Sequence, residues 1–257
     1  MLSVVIPSFK DPLLKKTIAS LLENAEGDIE VIAVLDGYWP EEPLSDDPRV
    51  RILHLGKNRG MREAINAGVA MARGEFIMRT DEHCIFGKGY DVILTRDLQD
   101  GDIMVPRRFF LDTEKWQVMD MPFVDYEKLY IDKERMKFAG IKWPERTKER
   151  LAVPIDETMA MQGSCWIMRR SHWDKVIVRL ESEGYGTHYQ DSVEMVMKTW
   201  QAGGRLMINK NTWYAHKHRD FPRTHNYPGD LAKASFDFSL GLWGDYYENV
   251  IRKKWMI

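Results

Sequence analysis

Three short stretches of the sequence place together side chains that can bind a metal ion or accept a proton. In the first, Asp81, Glu82 and His83 directly follow a predicted strand at 75–80. Asp81 and His83 are two residues apart in a tight turn, so both can point toward one ion. A mixed carboxylate and imidazole set suits a divalent metal such as Mn²⁺. The same pattern also fits a solvated acidic turn.

The other two stretches lie much further along the chain. His216 and His218 form a His-x-His pair, which can complete a metal site begun upstream or simply lie hydrogen-bonded at the surface. Asp191 and Glu194, at i and i+3, share one face at the start of a predicted helix. There they can act as catalytic carboxylates or cap the positive end of the helix. Each pattern alone leaves both interpretations open.

Several common catalytic signatures are missing from the sequence. It contains no Gly-x-Ser-x-Gly elbow, no Walker loop and no Gly-x-Gly-x-x-Gly after the first predicted strand. Those motifs build the nucleophile turn of many hydrolases and the phosphate cradles of nucleotide-binding folds. Serine hydrolases, P-loop nucleotidases and dinucleotide oxidoreductases are therefore disfavoured.

The composition is that of an ordinary globular protein. The 257 residues are 44% hydrophobic and 30% charged, which rules out a disordered or fibrous chain. The length fits one large α/β domain or two small ones. Lys and Arg number 37 and Asp and Glu 39, for a net charge of −2. That balance argues against a surface devoted wholly to nucleic acid, although a local basic patch stays compatible with it.

The cysteines and the apolar stretches bear on location. Cys84 and Cys165 are too few for a disulfide framework and lack zinc-ligand spacing, so we predict free thiols in a reducing compartment. No stretch approaches the roughly 18 apolar residues that a membrane helix needs. The first residues lack the basic region and cleavage site of a signal peptide. The sequence therefore predicts no membrane span and a cytoplasmic protein.

Strands and helices alternate in the first third of the chain, where they would position the acidic turn. Apolar runs predict strands at 2–7, 30–35, 49–55 and 75–80, and helical spacing predicts helices at 11–26 and 62–73. This order predicts an α/β fold with a mainly parallel sheet flanked by helices. Ligands of such sheets bind beyond the carboxyl ends of the strands, here 7–10, 36–38 and 80–83.

The rest of the chain is less regular. Periodicity weakens over 101–158, which is rich in aromatic and charged residues, so we expect a lid or binding loops there. A second regular block predicts a strand at 160–168, helices at 171–183 and 191–202, and a strand at 205–208. The tail, 213–257, is dense in histidine, arginine and aromatic residues and is predicted to form a C-terminal lid.

Together these blocks resemble the GT-A superfamily of nucleotide-sugar glycosyltransferases. The order and spacing of 6–9, 34–37, 58–68 and 73–77 resemble the family-two enzymes. The stretch 80–84, Thr-Asp-Glu-His-Cys, resembles the Asp-x-His-Cys motif of the polypeptide N-acetylgalactosaminyltransferases. That second resemblance continues through 162–164, 194–204, 214–219, 225–229 and 242–248. The short architecture also looks like glycosyltransferases encoded by phages.

The resemblance implies a fold, a donor and a metal. It implies one GT-A catalytic domain over 1–257, with a Rossmann-like nucleotide-binding half at 1–100 and an acceptor-side half at 101–212. A metal-binding lid and a C-terminal helix would follow at 213–257. The activity implied is metal-dependent transfer of a sugar from a nucleotide sugar, most simply a UDP-sugar. Mn²⁺ or Mg²⁺ would be held by Asp81, His83 and His216, the last chosen over His218 by resemblance alone.

The resemblance also assigns residues to the nucleotide. Pro7 and Phe9 would line the base pocket, and Asp36 would contact the uracil edge. The residues implied near the ribose or uracil are Arg62, Thr80 and Glu82. Those implied to close over the diphosphate are Arg219, His225 and Tyr227.

Asp191 is the implied catalytic residue. It would be the general base if the reaction inverts the sugar and a sugar ligand if the reaction retains it. The stretch 188–191, His-Tyr-Gln-Asp, departs from the patterns of both families, so the stereochemistry stays open. Lys10 also departs, standing where family-two enzymes usually have asparagine.

The sequence leaves two alternative functions open and does not identify the acceptor. Lys10 keeps open a nucleotidyltransferase, which needs a basic residue over the α-phosphate. A non-catalytic carbohydrate-binding protein on the same fold is the other alternative. The acceptor hydroxyl is predicted to belong to a modified DNA base, a glycan or a protein. The oligomeric state is not predicted.

Overall fold

The computed structural model of the chain describes residues 1–186, 190–218 and 229–257. Its strands, in chain order, are β1 Leu2–Ser8, β2 Ile29–Asp36, β3 Val50–Leu55, β4 Phe76–Thr80, β5 Cys84–Phe86, β6 Ile103–Asp112, β7 Gln117–Val118, β8 Glu127–Asp132, β9 Lys137–Lys142, β10 Ile155–Glu157, β11 Cys165–Arg169 and β12 Leu206–His216. Its helices are α1 Leu14–Asn24, α2 Met61–Met71, α3 Tyr90–Asp97, α4 Pro144–Glu149, α5 Arg170–His172, α6 Asp191–Gln201, α7 Gly229–Tyr246 and α8 Arg252–Trp255. Two π-helical segments lie at Trp173–Ile177 and Tyr247–Ile251.

The first four strands form a parallel block in the order β3-β2-β1-β4, as the sequence predicts. β1 and β2 are buried along their whole length because helices cover both faces of the sheet. α1 packs on one face, and α2 packs on the other. Gly68 lets α2 approach closely, since a Cβ there would lie 2.3 Å from Val5 Cγ1. Close helix packing on this block fixes the strand ends that face the predicted ligand.

The second half of the sheet is mixed. β11 runs antiparallel between β4 and β6, and β12 lies parallel to β6. The predicted α/β class, with a central sheet flanked by helices, is confirmed, and the parallel strand pairs are those among β1 to β4 and that of β6 with β12. α7 and the π-helical segment after it contribute Phe236, Trp243, Tyr247 and Ile251 to the larger core. This part of the tail is therefore packed structure, while 219–228 lies outside the described residues.

The prediction of lid or binding loops over 101–158 is wrong for most of that segment. It holds the ten-residue strand β6, the β8–β9 hairpin and α4. These strands carry charged residues that interrupt the hydrophobic periodicity. The charged residues can lie within the fold because they form ion pairs. Arg107 binds Asp125 at 2.7 Å, and Arg108 binds Glu127 at 3.1 Å.

Two further elements differ from their predictions. The helix expected at 171–183 is reduced to α5 and a π-helical segment, and it stops at Val178, which has a φ of 60°. The strand expected at 205–208 continues as β12 to His216, with an irregularity between Asn209 and Trp213. This extension matters for function because it carries His216 to the sheet edge beside β5.

Within the ranges that the structure describes, no helix combines the length and apolar character needed to cross a membrane. Cys84 and Cys165 are buried, and both are free thiols.

Candidate metal centre and nucleotide site

The fold brings together three residues that are far apart in sequence. Asp81 follows β4, and His83 immediately precedes β5. β5 pairs with the end of β12, so His216 lies opposite Cys84. Two backbone hydrogen bonds fix this junction, from the Asp81 N–H to the Ser164 carbonyl and from the Lys217 N–H to the His83 carbonyl. The carboxyl end of β4 and the end of β12 therefore build one site.

The ligand atoms of the three side chains converge. His216 Nε2 lies 3.0 Å from Asp81 Oδ2 and 3.0 Å from His83 Nε2, and each of the three residues offers an atom within 4.8 Å of the others. His83 and His216 are buried. The structure thus brings together the predicted metal ligands Asp81, His83 and His216.

The chemistry of this donor set fits a divalent cation. His83 Nδ1 lies 3.1 Å from Asp11 Oδ2, which places the ring proton on Nδ1 and leaves the Nε2 lone pair facing the centre. That lone pair meets the Nε2 of His216 and the Asp81 carboxylate. Lone pairs gathered in this way repel one another unless a proton or a cation lies between them. One carboxylate and two imidazoles suit Mn²⁺ and related metals.

Burial keeps both ligand types in their metal-binding forms. Desolvation lowers the pKa of His216 to about 4, against the opposing effect of Asp81. Desolvation alone raises the pKa of Asp81, but the charge of Arg79 and the hydrogen bond from His216 outweigh it and bring the pKa well below its ordinary value. Near neutral pH the cluster therefore presents a carboxylate and a neutral His216 imidazole, the forms that coordinate metals.

The ends of β1 and β2 form the wall next to this cluster. The Phe9 and Tyr38 rings meet edge to face with centroids 6.0 Å apart, and Ser8 Oγ lies 2.5 Å from the Tyr38 hydroxyl. Glu82 Oε1 accepts a hydrogen bond from the Phe9 N–H at 3.4 Å. Pro7 and Thr80 are buried within their strands. The predicted base-pocket residue Phe9 thus lies on the same rim as the metal cluster.

Asp36 has a structural role that the sequence reasoning missed. Its Oδ1 accepts a hydrogen bond from the Arg59 N–H at 2.6 Å, and its Oδ2 accepts from the Gly60 N–H at 2.8 Å and from Asn58 Nδ2 at 3.0 Å. Asp36 therefore holds the loop that starts α2. A carboxylate has about four lone-pair directions, so Oδ1 keeps room for one more donor. Contact with uracil stays a prediction.

Arg62, which the resemblance places near the ribose or uracil, is buried in the first turn of α2, and its contact with the nucleotide stays a prediction. Its guanidinium is fully buried, pairs with Glu194 and donates to the Glu181 carbonyl at 2.9 Å. The Tyr185 ring lies 4.3 Å from it, and Lys198 binds Glu194 at 2.7 Å. Glu194, left open between catalysis and capping, is thus the anion of a buried ion-pair network. Sequence gives little warning because arginine is usually exposed.

Asp191 is the first residue of α6 and is nine-tenths buried. Its Oδ2 has no hydrogen-bond partner among the described residues. A Cβ on Gly163 would lie 3.0 Å from that oxygen, so glycine lets the carboxylate approach the backbone of the neighbouring turn. Asp191 therefore keeps an acceptor available for a ligand.

Arg79 is a residue of this site that sequence reasoning missed. It is 2% exposed, and its guanidinium donates to Asp81 Oδ1 at 2.5 Å and to the Gly163 carbonyl. The signal was a single arginine inside the predicted strand 75–80, directly before the acidic turn.

The remaining predicted residues lie within or next to the segment 219–228. Arg219, His225 and Tyr227 lie outside the described residues. His218 is exposed, and its ring centroid lies 5.1 Å from that of His216 and 5.3 Å from that of Phe110. The structure therefore gives the cluster to His216 and leaves His218 beside it.

Comparison with protein families gives one clear assignment. A family model described as "Glycosyl transferase family 2" matches residues 3–177. That range covers the parallel block and the Asp81-His83 turn.

Individual relatives agree with the family match. The chain is 22% identical over 273 residues to polypeptide N-acetylgalactosaminyltransferase 12 of Mus musculus, covering 96% of this chain and 44% of the relative. It is 33% identical over 84 residues to the uncharacterized glycosyltransferase EpsJ of Bacillus subtilis (strain 168), covering 30% of this chain and 24% of that relative. The chain thus spans less than half the length of both.

A solved structure shares the fold. The crystal structure of GalNAc-T7 with UDP, GalNAc and Mn²⁺ aligns with a TM-score of 0.75 at 16% identity, covering 98% of this chain and 50% of that one. The predicted GT-A fold is confirmed. The predicted resemblances to family-two enzymes and to polypeptide N-acetylgalactosaminyltransferases are also confirmed. A phage origin stays a prediction.

Proposed function

The chain belongs to glycosyl transferase family 2, and we propose that it transfers a sugar from a UDP-sugar to an acceptor hydroxyl, with Mn²⁺ held by Asp81, His83 and His216. The observation that carries this proposal is the convergence of Asp81 Oδ2, His83 Nε2 and His216 Nε2 at the carboxyl end of β4. GalNAc-T7, which shares the fold, was crystallised with UDP, GalNAc and Mn²⁺, and this supports both the donor class and the metal.

The chain's residues divide the work of binding the donor. A bound divalent cation would offset the negative charge that grows on the diphosphate as its bond to the sugar breaks. Asp11 holds the His83 ring in the orientation and tautomer that a metal ligand needs. Phe9 and Tyr38 offer the base an aromatic edge at the end of β1, and Asp36 offers an acceptor to its N–H.

Asp191 is proposed to act at the sugar. Its unpartnered Oδ2 can accept the proton of the acceptor hydroxyl if the reaction inverts the sugar configuration. If the configuration is retained, the same oxygen would bind a sugar hydroxyl. Arg219, His225 and Tyr227 are proposed to close over the diphosphate and exclude water.

The alternatives are not favoured. The family match points to glycosyl transfer instead of nucleotidyl transfer, and Lys10 places its ammonium 5.3 Å from the Phe9 ring centroid. A non-catalytic role would leave the convergent ligand set without a purpose. The acceptor hydroxyl is proposed to belong to a modified DNA base, a glycan or a protein, and the location to be cytoplasmic.

Slow hydrolysis of the donor tests the proposal without knowledge of the acceptor. Wild type is incubated with a panel of UDP-, GDP- and CMP-sugars in Mn²⁺ or in chelator, and the released nucleotide is measured. We expect UDP release from one UDP-sugar, lost in chelator and in His83→Ala, and kept in the matched variant His218→Ala. Nucleotide release unaffected by chelator would contradict the metal assignment. Pyrophosphate formation from a sugar phosphate and a nucleoside triphosphate would instead identify a nucleotidyltransferase.

A further inference from the structure

Arg79 is a buried cation directly behind the proposed metal centre. It lies on β4, two residues before Asp81, and is 2% exposed. Its guanidinium donates to the Asp81 oxygen that faces away from the histidines and to the Gly163 carbonyl, and its Nη2 lies 3.3 Å from Met61 Sδ. One carboxylate group therefore separates this positive charge from the point where the three ligand atoms converge.

The surroundings of Arg79 keep it charged. Burial lowers the pKa of its guanidinium, but the negative charges of Asp81, Asp191 and Glu82 outweigh burial, and the pKa is raised. Its Nε is buried and has no acceptor among the described residues. Arginine does not lose its proton in proteins, so this charge is permanent.

The charges at the site would act on a metal and on a diphosphate in opposite directions. A fixed cation repels a divalent ion held at Asp81 Oδ2 and attracts the phosphates of a nucleotide. In a buried site this force is only weakly screened by solvent and salt. The carboxylates Asp81, Asp191, Glu82 and Asp11 act with the reverse sign, and Arg79 is the cation set among them.

We infer that Arg79 sets the order in which the site fills: it weakens the binding of a divalent cation to the free protein and strengthens the binding of a nucleoside diphosphate, so that the metal enters with the nucleotide. This inference rests on the proposed function, since it takes Asp81, His83 and His216 as the metal ligands. Arg79 acts here through its charge and through Asp81, as a positioning residue.

The test measures the two ligands separately. Mn²⁺ binding without nucleotide is followed by electron paramagnetic resonance, and UDP binding in chelator is followed by calorimetry. In Arg79→Met we expect Mn²⁺ to bind at least about tenfold tighter and metal-free UDP at least about tenfold weaker. Changes of opposite sign distinguish a charge effect from local damage, which would weaken both ligands.

Two variants serve as controls. Arg79→Lys keeps the charge but loses the planar fork, and both affinities should stay close to those of wild type. Arg108→Met removes another buried arginine, paired with Glu127 at 3.1 Å, and should change neither affinity. If Arg79→Met does not fold, Arg79→Gln gives the same comparison, because it is neutral yet retains an amide donor for the Gly163 carbonyl.

The outcomes separate this inference from the function on which it rests. Equal affinities in wild type and the neutral variants, or a loss of both ligands, would overturn the role of Arg79 alone. Failure of wild type to bind Mn²⁺ even with UDP present would overturn the metal centre and this inference with it. Folding of each variant is checked by thermal unfolding before titration.

Discussion

Two clusters of buried charged and polar residues in this protein are built in opposite ways. In the network of Arg62, Glu194 and Lys198, opposite charges are in direct contact. In the cluster of Asp81, His83 and His216, one carboxylate oxygen and two imidazole nitrogens converge on one point. Burial and charge are common to both clusters. What distinguishes the candidate binding site is the imbalance: three possible metal ligands converge there, and the only proton that they can share is that of His216.

The comparison is sharpest at the two histidines near the end of β12. We expect His216→Ala to lower Mn²⁺-dependent donor turnover by about 1000-fold or more, because a bound metal's charge stabilisation is worth several kcal/mol. His218→Ala, two residues further along the chain, should lower turnover only slightly. Turnover is measured against Mn²⁺ concentration for both variants. An inactive His218→Ala beside an active His216→Ala would move the ligand by two residues.

The balanced network should respond in stability instead. Removing one partner of a buried ion pair costs about 3–5 kcal/mol, because the other charge is left without compensation. We therefore expect Arg62→Met to lose about that free energy of unfolding in urea while binding Mn²⁺ like wild type. In the double variant Arg62→Met/Glu194→Leu, much of the loss should be regained. Unchanged stability together with lost UDP affinity would return Arg62 to the ribose contact that the resemblance implies.

Acid should destabilise the metal-free protein through His216, in the cluster of Asp81, His83 and His216. Burial lowers the pKa of this residue from 6.5 to about 4 in the folded protein. The unfolded chain then binds a proton that the folded chain does not, so stability falls as pH drops from about 6.5 to about 4. The full effect is about 3 kcal/mol. Unfolding of the metal-free protein is measured across this range, and His216→Gln should show a shallower slope. Equal slopes would contradict the assignment of this titration to His216.

The smallest expected effect concerns Asp11, whose carboxylate contacts Nδ1 of the proposed metal ligand His83. Asp11→Asn removes the carboxylate that orients His83, and loss of such an outer partner typically costs about 10–100-fold in metal affinity. Asp91→Asn is the matched control, since Asp91 accepts N–H bonds from Glu26 and Gly27 just beyond the C-terminal end of α1. Calorimetric Mn²⁺ titration in the presence of UDP compares the two. An equal loss in both variants would indicate general damage.

Much of the first half of the fold follows from the sequence. β1 to β4, α1 and α2 lie within a few residues of their predictions, because apolar runs bounded by glycine and proline mark elements buried by their neighbours. β6 and the β8–β9 hairpin could not be found this way. Their charged residues, such as Arg108, would be predicted from the sequence to lie at the surface. In the structure Arg108 is buried because it pairs with Glu127, a residue elsewhere in the chain.

The site divides along the same line. Asp81 and His83 are neighbours in sequence, so spacing alone indicates a candidate ligand pair. His216 lies 133 residues beyond His83, and only the resemblance connected them before the pairing of β12 with β5 did. The ion pairs of Arg62 with Glu194 and of Arg79 with Asp81 were missed, because a local pattern does not reveal which arginine contacts a carboxylate elsewhere in the fold.

The most direct test of the metal centre is anomalous X-ray scattering at the manganese edge, from crystals grown with Mn²⁺ and UDP. We expect one strong peak bonded to Asp81 Oδ2, His83 Nε2 and His216 Nε2, and no peak there in crystals of His83→Ala grown the same way. A wild-type map in which manganese binds elsewhere, or in which the nucleotide is bound and this cluster holds no manganese, would contradict the assignment.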